Sequence, residues 1–161
     1  MPRTEGWLER VRQWFTKSPS HCVAAHTLGR WGEAHVARLL ARNGMKLLHR
    51  NWRVGRQELD LVLVDRNTLV VVEVKTRQSE WAAELGSGMR SGNGSSFESE
   101  EVVREAQLER IRKATESYLA RFAVRLKRLG VVQYRIEVVV VRLGGGEVRI
   151  KSSKICASTA W

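Results

Sequence analysis

Two cysteines, Cys22 and Cys156, are the only thiols in 161 residues. They are too few and too far apart for a disulfide scaffold, and neither belongs to a CxxC pair. The four histidines are scattered, so no zinc-ligand spacing can be read from them. No apolar run approaches the ~18 residues needed to cross a bilayer. The N-terminal residues also lack the continuous apolar stretch and cleavage signature of a secretory signal. Acidic residues are in short supply: 17 Asp and Glu face 28 Lys and Arg, for a formal net charge of +11. These shortages leave a soluble, cytosolic chain of one-domain length, with 43% apolar residues to form a core. So large a positive excess favours polyanions, nucleic acid first.

The positive charge is not evenly spread. Residues 1–56 hold 11 bases and 3 acids, and residues 101–161 are again basic, while residues 80–100 hold four acids and one base. A slightly acidic middle inside a basic envelope suits a carboxylate-lined metal site in a phosphate-binding protein. Residues 1–25 form an amphipathic extension: Trp7, Leu8, Val11, Trp14 and Phe15 recur at helical spacing, and Ser18-Pro19-Ser20 sets them off. The domain proper covers 26–161. Its first helix is expected from Thr27, as N-cap, to Asn43, with Gly44 as the stop. A strand-rich block covers Asn51 to Arg77, and a flexible Gly/Ser-rich loop covers 86–99. A long helix from Glu101 to Arg128 ends at Gly130, and two strands, Val132 to Leu143 and Glu147 to Lys151, close the chain. The order α-β-β-α-β-β predicts an α/β fold with a mixed sheet flanked by helices.

Polar residues stand where apolar ones belong. Gln57 to Val64 and Leu69 to Lys75 read as a hairpin turning at Arg66-Asn67. That register sets Asp60 opposite Glu73 and Glu58 opposite Lys75, on a face shared with Val62, Val64, Leu69 and Val71. Opposed Cβ atoms lie ~4.5–5.5 Å apart, so Asp60 and Glu73 can reach one divalent cation. Carboxylates on a mostly apolar face need a metal ion or a base as partner. Glu33 heads the apolar stripe of the first helix, and Gln107 interrupts that of the second. Three elements thus send polar groups inward. Mg²⁺, with Mn²⁺ as the substitute, takes such oxygen ligands and activates water against a phosphodiester. Lys75, at i+2 from Glu73, is placed to orient that water or meet the phosphate charge.

On Gly29-Arg30-Trp31-Gly32-Glu33, Asn51-Trp52-Arg53, Glu58-Leu59-Asp60-Leu61 and Val72-Glu73-Val74-Lys75-Thr76-Arg77, the chain resembles the YraN-like family of uncharacterised bacterial proteins. That family resembles the restriction-endonuclease-like PD-(D/E)xK superfamily, which includes Holliday-junction resolvases. The likeness runs from about Gly29 to Ala157. It implies a restriction-endonuclease-like fold, with Asp60 and Glu73 as metal ligands, Lys75 as catalytic lysine, Glu33 as accessory acid and Gln107 as supporting residue. Gln57, Ala106 and Glu137 depart from the family pattern, and the loop after Arg77 is expanded. The catalytic positions are intact.

The expected function is a metal-dependent nuclease on DNA, branched or damaged forms included, with Arg53, Arg56 and Arg77 as backbone contacts. The alternative is a nucleic-acid-binding module that keeps the fold without cleavage. Fold class and charge alone do not separate the two, nor do they fix the oligomeric state.

Overall fold

Val36, Ala37 and Leu40, spaced by one and three residues, fall on one side of a helix and are buried. This helix, α1, spans Ala25–Arg42 in the computed structural model, which describes residues 25–78, 105–144 and 147–161. The N-terminal extension to residue 24 and the Gly/Ser-rich stretch at 86–99 lie outside the described residues. Thr27, expected as the N-cap, sits within the first turn of α1. At the other end Gly44 adopts φ +85°, a left-handed geometry that ends a helix without Cβ strain.

Among the described residues five strands follow where four were expected. β1 is Lys46–Val54, β2 Gln57–Asp65 and β3 Thr68–Gln78. Helix α2, Glu105–Arg128, precedes β4, Gln133–Gly144, and β5, Glu147–Thr159. The strands lie in chain order across one sheet. β1–β2, β2–β3 and β4–β5 are antiparallel, and β3–β4 is parallel, joined by a crossover that contains α2. Among the described residues the fold is therefore α/β, a five-stranded mixed sheet with two helices. The hairpin at Arg66-Asn67 forms as expected: Asp65 pairs with Thr68, and Arg66 takes φ +55° in the two-residue turn.

Each helix covers one face. Beneath α1 lie Leu61, Leu63, Val70, Val72, Val139 and Val141. Beneath α2 lie Val62, Val64, Leu69 and Val71, packed on Ile111, Ala114 and Tyr118. The period-2 alternation of β2 and β3 thus feeds two cores at once. One ionic group is centred on the buried Glu137, with Arg135 and Asp65 half-buried around it. Arg135 donates to Glu137 (2.6 Å) and Asp65 (3.1 Å), and Ser152 donates to Glu137 (2.9 Å). Buried charge is tolerated when paired and hydrogen-bonded in this way.

Helix α1 docks on β3 through an absence. A β-carbon on Gly32 would overlap Thr76 Oγ1 and crowd the Thr76 Cβ and Cγ2 as well, at 3.1 and 3.3 Å. Gly32→Ala is therefore expected to destabilise the fold by ~1–3 kcal/mol, as overpacking does. Adding Thr76→Ala should restore much of the loss. Denaturant melts of the two single variants and the double variant check this; purely additive costs would refute the contact.

Candidate functional site

The site is built where β2 and β3 part. Their ladder runs from Asp65–Thr68 to Leu61–Val72. Beyond that point β2 follows β1 to the Val54–Gln57 pair, while β3 stays with β4 to Gln78–Leu143. Asp60 stands at the fork. Its Oδ2 accepts the Val74 backbone N–H at 2.8 Å, so a side chain takes up a strand donor where the ladder has ended. Leu59 packs with the α2-side cluster rather than with Leu61 and Leu63, so strict alternation also breaks at the fork.

Glu73 is buried, and its Oε1 accepts two donors. Lys75 Nζ lies at 2.6 Å, as the i, i+2 spacing on a strand allows. Gln107 Nε2, from the first turns of α2, lies at 2.8 Å. From the opposite layer, Glu33 of α1 accepts a hydrogen bond from Asn51 Nδ2 at 2.7 Å. Its charge also acts on Asp60.

Burial, first, and then the negative charge of Glu73 push the Asp60 carboxyl up from 3.8 to about 7; Glu33 adds to this, while the Val74 N–H and Lys75 oppose it. The structure thus brings Asp60 and Glu73 into one electrostatic unit, with Lys75 and Gln107 on Glu73 and Glu33 within range of Asp60.

Glu58 is placed elsewhere. The expected pairing with Lys75 continued the β2–β3 ladder past the fork, where the strands have diverged. Glu58 instead pairs across β1–β2 with Arg53, its Oε2 lying 3.0 Å from the guanidinium. Arg53 is itself exposed, Arg56 is exposed beside Gly55 in the β1–β2 turn, and Arg77 is exposed near the end of β3. Sequence reasoning did not single out Asn51 as a site residue. It holds φ +50°, a left-handed geometry that asparagine tolerates better than most side chains, and that turn carries its amide to Glu33.

The donor set suits a hard cation. Asp60 and Glu73 offer carboxylate oxygens, and among the described residues Asp60 Oδ1 and Glu73 Oε2 accept no hydrogen bond. Among those residues, too, no three His, Cys, Asp or Glu side chains form a closed metal cage. Mg²⁺ does not require one: it is commonly held by one or two carboxylates, with water and substrate phosphate completing its shell. The raised pKa of Asp60 marks a position short of positive charge.

Fold and site together define an α/β protein with a carboxylate–lysine cluster at a forked mixed sheet. Residues 32–141 match the model described as Uncharacterised protein family UPF0102, and the chain belongs to that family. It is 37% identical over 125 residues to a UPF0102 protein of Syntrophotalea carbinolica, covering 78% of this chain and 86% of the relative. A UPF0102 protein of Phocaeicola vulgatus is 38% identical over 105 residues, 65% of this chain and 75% of the relative. One from Herpetosiphon aurantiacus is 32% identical over 125 residues, 77% and 88% of the two chains. Membership of the YraN-like family, expected from the sequence motifs, is thereby shown. Among the described residues no helix is long and apolar enough to cross a membrane.

Proposed function

We propose that this chain is a metal-dependent nuclease that hydrolyses phosphodiester bonds in DNA, on a fold of the restriction-endonuclease-like kind. The observation that carries this reading is the convergence of Lys75 and Gln107 on one oxygen of Glu73, beside an Asp60 carboxyl raised to about 7. A structural salt bridge would need only the Glu73–Lys75 pair. It would not require a second, half-buried carboxylate on the neighbouring strand, which costs stability without a cation.

Asp60 and Glu73 would hold Mg²⁺, which supplies a water of lowered pKa and stabilises charge on the scissile phosphate. Gln107 fixes the Glu73 carboxylate by holding Oε1. Asp60 is fixed by the Val74 N–H on Oδ2, which would leave Oδ1 to take the cation. Lys75 would serve two tasks: neutralising Glu73 in the resting protein and meeting the phosphate charge when substrate arrives. Glu33, tied by Asn51, places a third carboxylate where it can orient water.

The net charge of +11 and the absence of a base-reading motif favour backbone binding over sequence recognition. The test is a cleavage panel of duplex, nicked, flapped and four-way DNA, plus RNA, with Mg²⁺, Mn²⁺ or EDTA. Cutting that requires metal and is lost in EDTA is expected. Tight binding with no cutting of any substrate would favour the non-catalytic binding module instead.

A further inference from the structure

His49 and Trp52 are three residues apart on β1, a spacing that puts side chains on opposite faces of a regular strand. Both nevertheless meet Tyr118 of α2, with ring centroids 5.5 and 5.0 Å from it. The partner strand repeats the anomaly. Val62 and Leu59, paired with those two, both pack on the α2-side cluster, although Leu61 between them packs beneath α1. Both strands therefore turn over at one level. The pairs Arg50–Leu61 and Trp52–Leu59 bound that level, and the residues between them are Asn51 and Asp60. No residue is inserted there, because the pairing on either side keeps one register. The inversion falls instead on the backbone of Asn51, which stands at φ +50°.

A left-handed backbone costs most side chains free energy; glycine avoids the cost, and asparagine bears it better than most. Glycine would therefore satisfy the backbone here. What asparagine adds is its amide, which donates to Glu33 Oε2 at 2.7 Å. One residue thus acts on two carboxylates. Its backbone turns β1 over opposite Asp60, at the level where Asp60 leaves the ladder for the Val74 N–H. Its side chain ties Glu33 of α1, whose charge reaches Asp60. Strained residues of this kind cluster at functional sites. We propose that Asn51 is a positioning residue of the metal centre, holding Glu33 in a fixed place beside Asp60. The inference rests on the reading of Asp60 and Glu73 as metal ligands, and adds a residue that touches neither metal nor substrate.

The probe is Mn²⁺, titrated calorimetrically into the full chain without DNA, beside denaturant melts in EDTA. Asn51→Gly keeps the left-handed backbone and removes the amide. It should melt close to wild type, while Asn51→Ala, which strains the backbone, should melt earlier. Mn²⁺ affinity of Asn51→Gly should fall ~10-fold, the lower end of what losing a residue that orients a metal's surroundings costs. Glu33→Gln, which keeps an acceptor for the amide but loses the charge, should fall by a similar factor. The two changes combined should fall no further than the larger single loss, because they break one device. With Mg²⁺ and DNA, Asn51→Gly should lower kcat and leave KM near wild type, since no DNA-binding side chain is altered.

Wild-type Mn²⁺ affinity in Asn51→Gly overturns the positioning role, as do losses that add in the combined variant. If Asn51→Gly melts early, Asn51→Asp takes its place, since aspartate tolerates the same backbone and lacks the donor. Its added charge would by itself draw Mn²⁺ closer, so a fall in affinity reports the lost tie, and affinity at or above wild type overturns the role. If the wild type cuts with Mg²⁺ and Asn51→Gly matches it in affinity and rate, the inference fails and the nuclease reading stands. If Mn²⁺ binding weakens in both single variants but the wild type cuts no DNA, Asn51 keeps its role and the nuclease reading fails. A wild type that takes up no Mn²⁺ overturns both.

Discussion

Replacing Lys75 by alanine is expected to lower the rate of DNA cleavage by ~10²–10³, the typical cost of removing one group that meets transition-state charge. DNA binding should change little, because Lys75 is one of 28 basic residues and supplies at most one phosphate contact, ~0.9 of the salt slope. The side chain is half-buried against Glu73, so its loss also leaves that carboxylate with Gln107 as its remaining donor. Lys75→Arg keeps the charge, but its planar fork does not reproduce a compact ammonium at 2.6 Å from Oε1. It should be impaired almost as much as the alanine variant. Single-turnover cleavage in Mg²⁺, paired with binding in EDTA, measures both. Equal cutting by Lys75→Ala and wild type would remove Lys75 from the mechanism.

Asp60→Asn should stabilise the metal-free protein at neutral and alkaline pH. The folded chain holds the Asp60 proton up to about 7, whereas an exposed aspartate releases it near 3.8. Between those values the native state binds more protons than the unfolded one, so stability falls as pH rises. That contribution is complete below the lower value and is lost by the time pH passes the upper one. At roughly 1.4 kcal/mol per pKa unit, the swing amounts to a few kcal/mol at most. The asparagine carboxamide oxygen still accepts the Val74 N–H but carries no charge to repel Glu73. In EDTA, unfolding of wild type should therefore show this decline and Asp60→Asn should lack it. Added Mg²⁺ should stabilise wild type near pH 8 and leave the variant unmoved. Parallel pH profiles for the two proteins would show that Asp60 is not the strained group.

The central hairpin was legible because its turn and its alternation agree. Arg66-Asn67 fixes an even two-residue loop, and Val62, Val64, Leu69 and Val71 mark one of the two buried faces. Proximity of Asp60 and Glu73 follows from that register. Glu58 was misplaced because a ladder inferred from its turn carries no sign of where the strands separate. β1 begins at Lys46, five residues before the strand-rich block was expected to start at Asn51, and a register shift between Leu47 and His49 interrupts its period. β5 continues to Thr159 through Ser152, Ser153, Ala157 and Ser158, residues of low strand propensity. Backbone pairing with β4 holds them, and local sequence does not record that. Glu33 and Gln107 were visible as polar interruptions of apolar stripes and through the family resemblance; their partners, Asn51 and Glu73, required the tertiary fold.

The contact between Gly32 and Thr76 has a bearing on how the chain can vary. Glu33 directly follows Gly32, and Lys75 directly precedes Thr76. One van der Waals spacing therefore sets the distance between the helix that presents the third carboxylate and the strand that presents the lysine. Neither half of the cluster can be retuned by sliding its own element, because the other is carried along with it. Variation around the cluster then falls to parts that do not share this spacing, the edge strand β5 among them.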